Sequence, residues 1–504
     1  MTDISAQSRP ESAAASRWIL TATALLCAAI GLLWKALTSV DQATQAVAWG
    51  SAAFAAYSAS LLCLVGGARG RLLGLGRWLF GSWTLVWYGI AFGLATLTWV
   101  QPQTGIAEEI SLTSVLRALW LVAVGMTLWV FGYFIGPGRL TRRLGEKAVA
   151  ALSRRFTSEV RSLLTPWILY VIGTVARIIS AATTGRFGYI GDAQSAVTTA
   201  SSYEQLLNVL SYCAPLAVAA AALQAYRDRV PSARVTLAVL FLAEIVVGAA
   251  SGNKEGFIVA ILAVTIPFTV GRRRLHKGLL IFTVLALLFI IIPFNQAYRG
   301  IARNASGTLS TRQALDAAPG VLEQTIDSEN VAVLVSSTSF LLARIREIDN
   351  PAIIMQRTPA QIGFLSPIEL VEGPAITLVP RAVWPGKPIL DGGYEFSQEY
   401  YDLPANLLTS TAITPVGDLY RHGGWIPVIV GMFLLGIGAR FLDDVLDVCA
   451  NPHSIFLFLL LFPSLVNQED DWVETLAGIP GALLLWLLAV YLTFRRNSGR
   501  AVSG

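Results

Sequence analysis

The chain has 504 residues, of which 54% are hydrophobic and only 14% are charged, whereas a soluble domain carries about 25% charged residues. This composition excludes an ordinary soluble domain and indicates an integral membrane protein. The net charge of +5 does not indicate nucleic-acid binding. Lys and Arg lie in short clusters between apolar segments, where they orient membrane helices.

Apolar segments of about 20 residues recur along the chain and predict an all-α polytopic membrane protein with about twelve transmembrane helices. The first segment is too long for the hydrophobic part of a signal peptide, so we interpret it as a retained helix. The predicted spans are residues 18–38, 44–66, 78–100, 112–136, 162–181, 205–226, 233–250, 256–270, 278–295, 425–440, 453–467 and 473–494.

These spans divide the chain into five regions. Residues 1–17 and 495–504 are tails, residues 18–295 hold helices one to nine, and residues 425–494 hold helices ten to twelve. The remaining residues, 296–424, form one large loop between helices nine and ten.

The distribution of Lys and Arg predicts that both termini face the cytoplasm. Tails and loops on that side carry 23 of the 37 Lys and Arg residues, whereas the short loops on the opposite side carry only Arg186 and Lys254. Cytoplasmic loops are enriched in positive charge. The large loop therefore faces outward.

Two parts of the large loop have their own pattern. Residues 329–349 show apolar residues at helical spacing, which predicts a helix on or near the membrane surface. Residues 378–391 contain three prolines after their first two residues, so they predict an ordered segment that is not a regular helix.

Several outward-facing cations are candidates for binding an anionic substrate. Lys254 lies in a turn between two spans, where free backbone N–H groups and a helix N-terminus favour an anion. The alternative is a lysine that reaches the lipid headgroups and pairs with Glu255. Arg299 and Arg303 share one face of a continuing helix, and anchoring at the interface is their alternative role.

Two further basic features lie elsewhere in the chain. Arg381 and Lys387 flank Trp384 in a proline-rich segment, which would hold a guanidinium rigidly for bidentate phosphate contact. Arg177 lies inside the fifth span, where an arginine is costly, so it predicts a polar cavity or a carboxylate partner.

The segment 409–425 (TSTAITPVGDLYRHGGW) precedes the tenth span and combines hydroxyl groups with Asp418, Tyr420, Arg421 and His422. A carboxylate or an imidazole at a cleft can accept a proton from an attacking hydroxyl. The alternative is a capped helix start, with Asp418 as the N-terminal cap before an interfacial belt of Tyr and Trp.

The order of these features resembles that of Wzy-type bacterial polysaccharide polymerases, which are related to O-antigen ligases. The matching features are a basic residue after Gly252, Arg299 after the next outward exit, and a long loop. That loop carries Pro380-Arg381, Trp384-Pro385-Gly386-Lys387-Pro388, the residues Gly393, Phe396 and Tyr400, and Gly417-Asp418-Leu419-Tyr420 with Gly424. The resemblance covers about residues 160 to 440 and is most specific over 378–425.

The sequence departs from this family at two positions. Lys254 stands where arginine is usual, and His422 stands where a small polar residue is expected. The role of His422 is therefore not inherited from the family.

The resemblance implies metal-independent glycosyl transfer at the outer face of the bacterial cytoplasmic membrane. Donor and acceptor would be undecaprenyl-diphosphate-linked oligosaccharide repeat units, with no cofactor. A chain-length regulator or export proteins would be further partners. Asp418 is the first choice and His422 the second for the group that accepts the proton. The expected binding residues are Lys254, Arg299, Arg303, Arg381, Lys387, Trp384, Tyr420 and Arg177.

Three alternatives remain at this point. A ligase that transfers finished glycan would need the same cations. A monosaccharide transferase of the GT-C class ranks lower, because members of that class usually have a large first outer loop with paired acidic residues. A transporter or flippase of lipid-linked glycan would suit the helix count and would perform no chemistry.

Overall fold

The computed structural model describes residues 9–39, 42–67, 71–187, 190–191, 203–252, 254–272, 342–379, 383–384, 386–388, 392–404 and 411–497, together with residues 278, 294, 298 and 320. Most of the ninth predicted span and of the loop 296–341 lies outside these residues. Arg299, Arg303 and Arg381 lie outside them as well.

The first helices in chain order are α1 (Arg9–Thr38), α2 (Ala43–Gly67), α3 (Phe80–Tyr88), α4 (Leu112–Ile135), α5 (Arg139–Arg155), α6 (Thr165–Thr184), α7 (Glu204–Ser211), α8 (Cys213–Tyr226), α9 (Ala233–Ser251) and α10 (Lys254–Arg272). After α3 the chain continues as a π-helix, Gly89–Leu94, and a 3-10 helix, Ala95–Val100. Further 3-10 helices are Arg71–Arg77 and Gly105–Glu109.

The later helices are α11 (Asp349–Arg357), α12 (Glu369–Leu378), α13 (Gly392–Tyr401), α14 (Pro415–Arg421), α15 (Trp425–Val445), α16 (Pro452–Phe462) and α17 (Trp472–Thr493). A π-helical turn, Pro463–Asn467, follows α16. The strands are β1 (Phe156–Val160), β2 (Arg186–Phe187), β3 (Ile190–Gly191) and β4 (Phe494–Arg496). Strand β1 pairs with β4, and β2 pairs with β3, both antiparallel.

Within the described residues, nine helical stretches are long and apolar enough to cross a membrane. Two shorter apolar helices, Glu255–Gly271 and Pro452–Asn467, accompany them. Together these coincide with every predicted span except 278–295, which falls largely outside the described residues. The protein is therefore an all-α membrane protein.

Helix α8 lies at the centre of one half of the helix bundle. Its residues from Cys213 to Ala225 are all buried, and it packs against α6, α9 and α10. Most of these residues are small, which lets neighbouring backbones approach closely, as is common between membrane helices. At Gly173 of α6, a Cβ atom would overlap the backbone of Ala214. Small residues on both helices therefore allow this contact.

The loops gather at two opposite ends of the bundle. At one end, His453 Nε2 lies 3.0 Å from the carbonyl oxygen of Thr157, and Arg227 donates to the carbonyl of Ser158 over 2.7 Å. Strands β1 and β4 lie at this end. It collects the segments that the sequence predicts to be cytoplasmic.

The other end carries the described part of the large loop. Helices α11 to α14 lie here, and Trp99 donates to Asp349 over 2.9 Å. Arg357 forms an ion pair with Glu109 at 3.1 Å. These pairs join the large loop to the short loop before α4, as expected for segments on one side of a membrane.

Only the end of the predicted surface helix 329–349 lies within the described residues, so that helix stays a prediction. Arg346 near this end is buried, with 8% of its surface exposed. Its guanidinium donates to Thr98 Oγ1, Gln103 Oε1 and Asp349 Oδ2. The local apolar pattern does not reveal these distant partners, which draw Arg346 into the protein.

We expect cysteines at Glu108 and Asp402 to react with an impermeant maleimide added to intact cells, and cysteines at Arg143 and Arg496 to react only after permeabilisation. All four side chains belong to exposed segments at one end or the other. The native residues Cys27, Cys63, Cys213 and Cys449 would first be replaced by serine. Labelling of Arg143→Cys from outside would contradict the orientation.

Candidate functional site

The candidate site begins at α14, a helix of seven residues in the segment with the most specific resemblance. Thr414 caps its N-terminus, since its side chain accepts from the backbone N–H of Gly417, and Pro415 occupies the first turn. Thr414 is fully buried and has a φ of 70°. A β-branched residue rarely adopts this conformation, so tertiary contacts hold the helix start in place.

Asp418 is the centre of a buried network. Arg421 Nε donates to Asp418 Oδ1 over 2.6 Å, and the backbone N–H of Trp472, at the start of α17, donates to Oδ2 over 2.9 Å. Asp418 is 1% exposed. Its carboxylate therefore connects the large loop to the last membrane helix.

His422 extends this network toward the surface. Its Nδ1 lies 2.8 Å from the backbone carbonyl oxygen of Asp418, and its Nε2 lies 3.6 Å from a carboxylate oxygen of Glu369. The His422 side chain is 5% exposed, whereas that of Glu369 is 52% exposed. Glu369 is therefore the member of this group that solvent or a substrate can reach.

The charges in this network shift one another's protonation. Burial alone would raise the pKa of Asp418, but Arg421, His422 and the Trp472 N–H stabilise the carboxylate and lower the pKa below its usual value. Burial would lower the pKa of His422, but the hydrogen bond and charge of Asp418 outweigh it and raise the pKa. Asp418 is therefore held ionised between cationic and donor groups.

Asp471 joins the network from the turn between α16 and α17. Its Oδ1 accepts from the backbone N–H of Glu474 over 2.7 Å and so caps α17. Burial raises the pKa of Asp471 to about 6, and the nearby charge of Asp418 adds to this rise. Gly392 at the start of α13 lies so close that a Cβ atom there would overlap the Asp471 carboxylate.

The same turn reaches the Lys254 region through Asp470. Burial raises the pKa of Asp470 to about 6, with Glu255 as the next cause. Glu255 also accepts a hydrogen bond from the Tyr212 hydroxyl over 2.9 Å. The turn 468–471 therefore lies between the start of α10 and the Asp418 network.

One described residue locates the chain next to Arg299. The Tyr298 hydroxyl donates to the backbone carbonyl of Ala250 over 3.2 Å, and Tyr298 is 1% exposed. Ala250 lies four residues before Lys254. Tyr298 and the turn 468–471 thus place the Lys254 turn, the residue preceding Arg299 and the Asp418 segment at the same end of the bundle. A cavity shared by these residues stays a prediction.

The other predicted residues have separate positions. Lys387 is buried and donates to the carbonyls of Thr377 and Val379, at the end of α12. This is a helix C-terminal cap, which satisfies free carbonyl groups. Trp384 is 42% exposed and Tyr420 is 8% exposed.

Arg177 has the carboxylate partner that its position in a membrane helix requires. Its two terminal nitrogens donate to the two oxygens of Glu244 on α9, over 2.6 and 3.1 Å. Lys254 begins α10, and Arg299, Arg303 and Arg381 lie outside the described residues, so their expected roles stay predictions.

Sequence reasoning placed Arg421 beside Asp418 and His422, but it missed Glu369, Asp470 and Asp471 as members of the network. The sequence did contain an indication of the last two, the run Glu469-Asp470-Asp471 between two apolar spans. Three adjacent carboxylates near the membrane cost free energy, so they indicate a structural or functional role. Among the described residues, no group of three or more His, Cys, Asp or Glu side chains could hold a metal ion.

The family described as "Domain of unknown function (DUF8712)" matches residues 177–446, which is more than half of the 504 residues. The chain belongs to the DUF8712 family. Comparisons with curated proteins and with solved structures found no match. The DUF8712 region begins within α6 and ends just after α15, so it contains Arg177, Glu244 and the Asp418 network but not the turn 468–471.

We expect neutralising Asp470 to change the pH dependence of stability in this DUF8712 protein. The folded state keeps the Asp470 proton up to about pH 6, whereas the unfolded chain releases it near 3.8. The raised pKa of Asp470 therefore favours the folded state fully below pH 3.8. This stabilisation is lost as the pH rises through about 6. Asp470→Asn should be more stable than the wild type at pH 7, by roughly 3 kcal/mol.

Thermal unfolding in detergent between pH 4.5 and 7.5 measures this effect. Wild-type protein should lose stability across that range, and Asp470→Asn should lose less. Glu108→Gln, which removes a negative charge from an exposed turn at the same end, is the matched control and should follow the wild type. Parallel curves for wild type and Asp470→Asn would contradict the buried position of Asp470.

Proposed function

We propose that the protein is a membrane glycosyltransferase that polymerises undecaprenyl-diphosphate-linked oligosaccharide repeat units outside the bacterial cytoplasmic membrane. One observation supports this proposal most. The segment 378–425, which carries the specific resemblance, meets the ends of membrane helices through a buried charged network, Asp418–Arg421–His422, bonded to the start of α17. A solvated loop without a role would not need a buried charged group at this junction.

The reaction makes two demands on the residues at this end. A new bond forms between an acceptor hydroxyl oxygen and the anomeric carbon of the donor, while the bond from that carbon to the diphosphate breaks. The leaving diphosphate carries away the bonding electrons, so it needs cations. Lys254, Arg299 and Arg381 are the residues proposed for that role.

The acceptor hydroxyl must also lose its proton. Asp418 was the first choice from sequence, but its oxygens are occupied by Arg421 and Trp472 and it is 1% exposed. We therefore propose that Asp418 positions Arg421 and His422. Glu369, which is exposed and lies 3.6 Å from His422, then takes the proton.

Elongation of lipid-linked repeat units by the purified protein in detergent tests this function. The wild type should give a ladder of longer glycans, and Arg381→Ala, Arg299→Ala and Glu369→Gln should each reduce it by about 100-fold or more. Arg344→Ala, which removes an exposed arginine of the same loop, is the control and should leave the ladder unchanged. A normal ladder from Arg381→Ala would place the diphosphate elsewhere.

Transport of lipid-linked glycan is the second candidate function, and the Arg177–Glu244 pair supports it. Ionisable pairs inside membrane helices are common along transport pathways. A transporter performs no chemistry, so it would give no elongation in detergent, where no two compartments exist. Glycan transfer to a lipid or protein acceptor instead of to a second repeat unit would identify a ligase.

A further inference from the structure

Arg117 is the one charged residue in α4, whose 24 residues are otherwise apolar or uncharged. It is exposed, and it shares the exposed face of the helix with Trp120, Phe131 and Phe134, which are 49%, 59% and 52% exposed. An exposed apolar face on a membrane helix faces lipid. Arg117 therefore points from the protein into the lipid or its headgroups.

Arg117 has no hydrogen-bond or salt-bridge partner among the residues that the structure describes. An arginine in the hydrocarbon region costs about 2.5–3.5 kcal/mol or more, which is reduced when the side chain reaches the headgroups. Arg117 follows the start of α4 by five residues, or about 7.5 Å along the helix axis. Its guanidinium is therefore within reach of phosphate groups at the outer surface.

A second polar group without a partner lies on the same side. Tyr420 is 8% exposed, and its hydroxyl has no hydrogen-bond partner in the described part of the chain. Burial raises the pKa of Tyr420, and the positive charge of Arg117 opposes that rise. The Tyr420 hydroxyl oxygen is not among the fully buried unpaired atoms, so it remains accessible and can donate a hydrogen bond to a ligand.

Aromatic rings border this position. The ring of Tyr420 lies 6.0 Å from that of Phe364 and 6.1 Å from that of Trp425, centroid to centroid. Phe364 and Trp425 are 45% and 42% exposed. Aromatic residues at this level are typical of the boundary between headgroups and acyl chains. The exposed rings of Phe364 and Trp425 can therefore contact the first part of a lipid chain.

We propose that Arg117 and Tyr420 bind the phosphate of a polyprenyl-phosphate-linked glycan as it arrives from the outer leaflet. This inference rests on the proposed function and assigns the place where the lipid carrier first docks. Arg117 supplies the positive charge and paired donors, the Tyr420 hydroxyl donates a further hydrogen bond, and Phe364 and Trp425 contact the isoprenoid chain.

The position of Tyr420 on α14 connects this docking site to the charged network. Tyr420 and Asp418 are two residues apart, so they lie on nearly opposite faces of the helix. One face carries Asp418 and Arg421 toward the interior. The other carries Val416 and Tyr420, which are four residues apart, toward α4, where a Cβ atom on Gly125 would lie 3.1 Å from Val416. A lipid phosphate at Tyr420 is thus separated from the network by the width of this short helix.

Native mass spectrometry of the purified protein with added lipids tests the site. The probes are undecaprenyl phosphate, phosphatidylglycerol and inorganic pyrophosphate. The wild type should retain undecaprenyl phosphate several-fold more than phosphatidylglycerol, and pyrophosphate should not displace it. Arg117→Ala should lower this retention about tenfold, as expected for loss of a charged hydrogen bond, and Tyr420→Phe should lower it less.

Lys35→Ala is the matched control. Lys35 is an exposed cation in the last turn of α1, and its ammonium lies 4.6 Å from the ring centroid of Trp49, but it is remote from Tyr420 in sequence. This variant should retain undecaprenyl phosphate like the wild type. Equal retention of both lipids, or an equal loss in Lys35→Ala and Arg117→Ala, would overturn the proposal and indicate ordinary headgroup contact.

The lipid-retention experiment tests the docking site, and the elongation assay tests the polymerase, so the two proposals can fail independently. Specific retention that depends on Arg117, without glycan elongation, would support the docking site and count against the polymerase. Elongation with retention unaffected by Arg117→Ala would overturn the docking site and leave the polymerase in place. Displacement by pyrophosphate would show a site for free phosphate rather than for the lipid.

Discussion

Replacing Asp418 with alanine is expected to destabilise the folded protein by about 3–5 kcal/mol, because it leaves the buried guanidinium of Arg421 without its counter-ion. Arg421 is 6% exposed and cannot turn to solvent without disturbing α14. The N–H of Trp472 also loses its acceptor. Denaturant unfolding in mild detergent, followed by tryptophan fluorescence, measures the loss.

Two further variants separate a positioning role from a direct role in chemistry. Asp402→Ala removes a carboxylate of the same loop that is 69% exposed and paired with Arg357, and it should cost less than about 1 kcal/mol. The double variant Asp418→Asn with Arg421→Gln should be more stable than Asp418→Ala, because no unpaired charge remains. If Asp418→Ala keeps wild-type stability yet loses glycan elongation, Asp418 contacts the substrate instead.

The second large effect is expected in the membrane region. Glu244→Ala should destabilise the protein by roughly 3 kcal/mol, since it leaves Arg177 unpaired at a position where charge is costly. Glu244 is 3% exposed at its side chain and Arg177 is 21% exposed. The pair joins α6 to α9, which both pack against α8, so its loss should loosen this half of the bundle.

A double variant tests this interpretation of the ion pair. Arg177→Met with Glu244→Met removes both charges and keeps side-chain volume, so it should recover most of the stability lost in Glu244→Ala. The measurement is the temperature at which half of the detergent-solubilised protein remains monodisperse. A double variant as unstable as the single one would show that packing, and not the unpaired charge, determines the loss.

The membrane helices could be predicted from sequence because each depends on the composition of one continuous segment. The predicted span 112–136, for example, differs by one residue from α4 (Leu112–Ile135). The tenth span was predicted to end at residue 440, but α15 continues to Val445. Arg440 and Asp444 pair at 2.9 Å within that last part, so its charges are compensated and the helix need not end there.

The candidate site could be predicted only in part, because its contacts join residues far apart in the chain. Sequence identified Asp418, but not that its partner is the backbone of Trp472, 54 residues later. It predicted a carboxylate partner for Arg177, but not that Glu244 supplies it. It assigned Lys387 to phosphate contact, and nothing local indicates that its ammonium instead reaches the carbonyls at the end of α12.

The hydrogen bond between Tyr212 and Glu255 shows how far along the bundle the polar start of α10 lies. Tyr212 lies eight residues after Glu204, where that membrane-spanning stretch starts, so it is about 12 Å along the helix axis from that start. At the opposite end, Gly271 of α10 lies against Tyr226 of α8. The two helices thus end together on one side, and the polar start of α10 is recessed on the other.

The apolar helix Glu255–Gly271 within α10 is about 25 Å long, which is less than the about 30 Å of a typical hydrocarbon layer. A helix that is too short is accommodated by local thinning of the bilayer or by neighbouring protein around its polar end. Glu255 has such a neighbour in the Tyr212 hydroxyl.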